Sequence, residues 1–145
     1  MNFTGVWQAN IEKSVFRGPA PKRLLNRIEH REPELIQEMI VTQASGDEQR
    51  VVFRYLTNGE ETTNSIGGAT ATTRARWVGA ELVIESALDA VGHTLSFKDH
   101  WSLSEDGQTL TMAHRDDALT GQIVVHDKGP DAVIRPQLPR CVADE

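Results

Sequence analysis

The sequence predicts an all-β fold: a single antiparallel up-and-down β-barrel of about eight to ten strands with a central cavity. Three observations carry it. From Thr4 to Lys128 the apolar residues recur mostly at spacing two, the period of strands with one buried face. Short polar, glycine-bearing segments separate the runs, and two of them, Asn58-Gly59 and Asp106-Gly107, favour tight antiparallel hairpins. No long crossover interrupts the series, and such a meander leaves two open edges unless the sheet curls shut.

The elements follow in chain order. TGVWQANIEK comes first, with Gly5 beside Trp7. RGPAP, Arg17 to Pro21, breaks the rhythm with two prolines and reads as a loop or short helical turn. KRLLNRIEHR then alternates Leu24, Ile28 and His30 with Arg23, Arg27 and Arg31 as a solvated face. ELIQEMIVTQ turns Leu35, Gln37, Met39 and Val41 to one side, and QRVVFRYLT does the same with Val51, Phe53 and Tyr55. ETTNSIG follows Asn58-Gly59, and ATATTRARWV sets Ala69, Ala71, Thr73, Ala75 and Trp77 against Arg74 and Arg76. AELVIESALD faces Leu82, Ile84, Ser86 and Leu88 inward. HTLSFKDHWSLS gives Leu95, Phe97, Asp99, Trp101 and Leu103, GQTLTMAHRD gives Leu110, Met112 and His114, and TGQIVVHDK completes ten candidate strands.

Size and charge bound the partners. The 145 residues suit one domain that buries about 68 to 70% of its unfolded surface. A net charge of −6, from 15 Lys and Arg against 21 Asp and Glu, argues against nucleic acid. The single cysteine, Cys141, excludes an internal disulfide. No apolar run approaches a membrane span, and no basic-then-apolar leader opens the chain, so the reading is cytoplasmic; a mature secreted form with its signal removed reads the same. Residues 1–128 are expected to form the barrel and 129–145 a Pro-containing tail. The partner expected is a small hydrophobic molecule, for a monomer or homodimer.

The Gly-x-Trp of the first strand and the meander after it resemble the calycin superfamily of lipocalins and fatty-acid-binding proteins. GVWQANIEKSVF, PAPKRLLNRIEH, RWVGAELVIES and WSLSEDGQTLTM look most like bacterial lipocalin-like domains of unassigned activity. The resemblance implies that Trp7 closes one barrel end and that Lys128 is a candidate for the basic residue beside it. The chain departs from fatty-acid-binding proteins in its last strand, where QIVVHDK has no Arg-x-Tyr pair for a carboxylate.

The small residues of ATATTRARW cannot fill a barrel, so a cavity is expected. Its candidate wall is Trp7, Gln37, Met39, Phe53, Tyr55, Thr73, Trp77, Ser86, Phe97, Trp101 and Met112. Asp99 and His114 fall among apolar neighbours, where a carboxylate must find a partner. Counting back from a two-residue Asp106-Gly107 turn sets them opposite each other, and a loop longer by one residue on each side is expected to make them diagonal neighbours. The pair either satisfies itself without chemistry or acts as a catalytic dyad, the carboxylate orienting a general base. His126 reads either way, His93 lies at a turn and His100 is out of phase, and no histidine spacing marks a metal triad; neither metal nor cofactor is expected. Function therefore reads as hydrophobic ligand binding, with a cofactor-independent isomerase, cyclase or hydratase acting through Asp99 and His114 as the alternative. A filled structural barrel comes third.

Overall fold

The computed structural model describes residues 2–66, 68–90, 92–116 and 121–129. Ten strands stand where the alternation puts them: β1 (Gly5–Ala9), β2 (Arg23–Arg31), β3 (Glu34–Thr42), β4 (Glu48–Leu56), β5 (Asn58–Ile66), β6 (Ala69–Val78), β7 (Glu81–Ala90), β8 (His93–Leu103), β9 (Thr109–Asp116) and β10 (Gly121–Gly129). They form one sheet in the order β4-β3-β2-β1-β10-β9-β8-β7-β6-β5. First and last strands meet, with Trp7 opposite Lys128 and Ala9 opposite His126, so the sheet rolls into a nearly closed barrel. Among the described residues there is no helix, and none long and apolar enough to cross a membrane. The expected tail after Gly129, with Cys141, lies outside the described residues.

Two turn expectations need correction. Gly59 takes φ 91°, but Asn58 and Gly59 lie within β5, where its register with β6 slips; no backbone ladder joins β4 to β5 among the described residues. Side chains close that seam. Asn64 Oδ1 accepts the Arg54 N–H at 2.7 Å, Asn64 Nδ2 donates to the Arg54 carbonyl at 3.0 Å, and the Thr62 hydroxyl donates to the same carbonyl at 2.9 Å. One amide thus supplies the donor and acceptor that a strand backbone would. Asn64→Ala strands a polar group of Arg54 and is expected to cost about 1 to 3 kcal/mol, read as a lower urea midpoint. An unchanged midpoint would mean that the seam is held otherwise.

At the second turn, Ser104 N–H bonds to the Thr109 carbonyl at 2.9 Å, so the loop is one residue longer on each side than a two-residue hairpin. Lengthening both sides equally leaves the register unchanged, and Asp99 still stands directly opposite His114 rather than diagonal to it. RGPAP forms a loop with no helical turn. Ahead of it Val15 exchanges backbone hydrogen bonds with Ile123, at 2.7 and 2.9 Å, which brings Arg17 to one end of the barrel, paired with Asp116.

The other end is closed by packing. Phe3 and Trp7, essentially inaccessible to solvent, sit with Ile28, Leu35, Leu82 and Leu110. Trp7 Nε1–H donates to the Phe3 carbonyl at 2.9 Å, so the indole is buried without an orphaned donor. Gly5, at φ 149°, explains the motif: a Cβ there would come 3.2 Å from Lys128 Cε and 3.5 Å from the Trp7 indole nitrogen. Lys128 Nζ in turn lies 5.8 Å from the Trp7 ring centroid, within cation–π range.

Candidate functional site

Between the packed end and Arg17 lies a cavity of about 370 Å³. β6 contributes small side chains to the interior: Ala71, Thr73 and Ala75 are buried, Thr73 in the cavity wall, while Arg74 and Arg76 face out to Glu61 and Glu85. Of the expected wall, Gln37, Met39, Phe53, Tyr55, Thr73, Ser86, Phe97, Trp101 and Met112 line it, as do Asp99 and His114. Trp7 and Trp77 do not. Trp77 stacks on Phe3 at 5.7 Å and donates from Nε1 to Glu32 at 3.3 Å, so it belongs with Trp7 to the closing layer. Alternation gave both rings the correct face but not their height along the barrel axis.

His30 belongs to the same layer. Its Nδ1 accepts the Phe3 N–H at 3.1 Å and its Nε2 meets Glu32. Burial pushes the Glu32 carboxyl up, but hydrogen bonds from His30, Thr57 and Trp77 outweigh it and hold the pKa below the usual value.

In the cavity wall, His114 Nδ1 and Asp99 Oδ1 are 2.7 Å apart. The carboxylate hydrogen bond raises the imidazole pKa, against the lowering effect of burial. Both side chains are about a quarter exposed, at 27% and 24%, so the pair is neither sealed in the core nor open to bulk water. The Phe97 ring lies against the imidazole at 5.4 Å between centroids. With Nδ1–H committed to Asp99, Nε2 is the atom left for a ligand or a proton.

A second polar group joins two of the candidates, Tyr55 and Gln37, to two residues that were not among them. Asn26 and His126 also face the cavity, with Arg17, Leu24, Asn64, Gln122 and Val124. Tyr55 O–H donates to Gln37 Oε1 at 3.0 Å, and Gln37 Nε2 donates to Asn26 Oδ1 at 2.7 Å. Asn26 Nδ2 meets His126 Nε2 at 3.0 Å, and His126 Nδ1 reaches the Leu110 carbonyl at 3.1 Å. The carbonyl only accepts, so Nδ1 carries the proton and Nε2 is the acceptor for Asn26. The register explains the geometry. Asn26 stands opposite Trp7 and His126 opposite Ala9, so the two meet diagonally across β1, where Ala9 is small. Burial pulls His126 down to a pKa of about 4, and burial raises Tyr55 well above its ordinary value; both are neutral at pH 7. Among the described residues no three His, Cys, Asp or Glu converge as a metal site.

No protein-family model matches the chain, and no curated protein does. Solved structures do match. It is similar to a secretory abundant heat soluble protein of Ramazzottius varieornatus, with a TM-score of 0.64 at 12% identity over 87% of this chain and 94% of that one. It is similar to the zebrafish ileal bile acid-binding protein solved with cholic acid, at 0.59 and 14% identity over 88% and 98%. A fatty-acid-binding protein of Echinococcus granulosus gives 0.59 and 12% identity over the same shares. At such identities the likeness is one of fold.

Proposed function

We propose that this chain binds a small hydrophobic molecule inside its barrel. The observation that carries the reading is the cavity of about 370 Å³, walled by Met39, Phe53, Phe97, Trp101 and Met112 with a few polar groups between them. Apolar surface supplies affinity and the polar groups orientation. The bound bile acid of one structural neighbour and the name of another support the reading by analogy of fold alone. Residues 1–128 make the binding barrel in this reading, residues 129–145 a tail, and the chain a soluble, cytoplasmic relative of bacterial lipocalin-like domains. 1-Aminoanthracene, an uncharged apolar dye, is expected to bind at one saturable site, and Ser86→Phe, which fills the cavity from its wall, to abolish that binding. Equal binding by the filled variant would sink the proposal.

One observation favours a second reading, a cofactor-independent isomerase, cyclase or hydratase: the 2.7 Å contact of His114 with Asp99 at the cavity wall. In an isomerase Nε2 would take a proton from a carbon of the ligand and return it to another, with Asp99 stabilising the imidazolium. His114→Ala separates the two. If the protein only binds, a polar-headed ligand loses about 1 to 3 kcal/mol of affinity and no product forms with either protein. If it catalyses, the variant still binds and conversion stops, as chromatography of the ligand before and after incubation would record.

A further inference from the structure

The chain of side chains from Tyr55 to His126 is satisfied in one direction, and that direction leaves a remainder. Tyr55 donates to Gln37, Gln37 to Asn26, Asn26 to His126, and His126 to the Leu110 carbonyl. Each primary amide nitrogen carries two hydrogens and spends one. The second N–H of Asn26 and the second N–H of Gln37 have no acceptor among the described residues, although the two side chains are only 1% and 4% exposed and line the cavity. Buried donors without partners are rare in folded proteins, because leaving one unpaired costs most of its desolvation.

Neither amide can turn over to hide these hydrogens. Exchanging O and N of Asn26 would set its oxygen against the Nε2 lone pair of His126, whose proton is held on Nδ1 by Leu110. Exchanging those of Gln37 would set its oxygen against Asn26 Oδ1. The carbonyl at one end therefore fixes the polarity of the whole row, and two unspent donors remain on side chains that line the cavity.

Charge narrows what they can receive. The charged groups on the described wall are Arg17, paired with Asp116, and Asp99, paired with His114, so each cationic group already faces a carboxylate and an anionic ligand would have to share it. The row itself is uncharged. We infer that the cavity is built for a neutral ligand carrying an oxygen acceptor, a ketone, ester or amide carbonyl, seated on the free N–H groups of Asn26 and Gln37. This rests on the cavity-binding reading and specifies its ligand as one whose head is polar but not anionic.

The test uses three probes of equal length, decane, methyl octyl ketone and decanoate, with affinity read from tryptophan fluorescence. The variants are Asn26→Leu and Gln37→Met, which keep volume and remove the amides. Water solvates the ketone better than decane, so the useful quantity is the ketone-to-decane affinity ratio, compared between proteins. It is expected to fall about tenfold in each variant, the effect of one hydrogen bond. In the unaltered protein the bound ketone's carbonyl stretch is expected below its frequency in hexane, a measurement that needs no variant to fold. An unchanged ratio, an unshifted stretch, or decanoate binding more tightly than the ketone would each overturn the inference while leaving cavity binding intact. If none of the three binds, the cavity reading falls and the inference with it.

Discussion

Trp7→Ala is expected to lower the unfolding free energy by about 3 to 5 kcal/mol, the range for large aromatic residues removed from well-packed interiors. The indole is 1% exposed and touches the residues that close the barrel, so its loss leaves a void among Phe3, Ile28 and Leu35. It also removes the donor to the Phe3 carbonyl and the ring under Lys128. Against a total stability of about 5 to 15 kcal/mol for an ordinary domain, this is a large fraction. Trp7→Phe keeps most of the volume and loses the hydrogen bond, so it should cost less. Urea denaturation of the three proteins checks the order. Because Trp7 does not line the cavity, the folded fraction of each variant should bind ligand with similar affinity. Equal midpoints would show that the barrel end is held by the other aromatic residues.

The Trp7 result bears on how far the sequence could be read. Ten strands were legible because nearly every one buries a single face, and a period of two in apolar residues records this directly. The opposition of Asp99 and His114 was legible too, since a register follows from the residues on either side of one turn. What alternation cannot give is height along the barrel, and so it set Trp77 in the wall rather than in the closing layer and left Trp7 in the wall as well, its place at the barrel end being implied only by the resemblance. Nor can it give the seam: β4 and β5 alternate as paired neighbours would, and no local pattern records that they stay unzipped. Arg17 reaches the cavity by way of a loop, which has no period to read.

The row from Tyr55 to His126 was half visible. Asn26 sits between Leu24 and Ile28 on the inward alternation, and a polar residue there is as informative as Asp99 among Phe97 and Trp101. His126 was harder, because Ile123, Val124 and Val125 are all apolar and the strand can be phased either way from sequence. The structure settles the phase: Val124 and His126 are buried and Ile123 is 46% exposed.

His126 carries the other large effect, an acid lability of definite sign. In the unfolded chain its pKa is near 6.5, whereas in the fold burial holds it at about 4, outweighing the Leu110 and Val124 carbonyls and Asp127. The folded value is depressed, so the unfolded state binds the proton first, and its contribution is fully present above about pH 6.5 and lost as the pH falls toward 4. A gap of that size corresponds to about 3 kcal/mol, at a slope of at most about 1.4 kcal/mol per pH unit. The structural cause is specific: a proton on Nε2 would displace the Asn26 donor 3.0 Å away and leave a cation in a site with no solvent exposure. His114 works in the opposite sense. Its raised pKa adds stability below about pH 6.5 that is lost as the pH rises through its folded value, so the unaltered protein alone gives a mixed curve. The comparison with His126→Gln isolates the term, since glutamine can accept from Asn26 and donate to Leu110 but does not titrate. The stabilities of both proteins, from urea unfolding between pH 6.5 and 4, are expected to lie close together at the alkaline end and to diverge at the acid end, the unaltered protein losing about 3 kcal/mol relative to the variant. Parallel curves would mean that His126 takes up its proton without breaking the row.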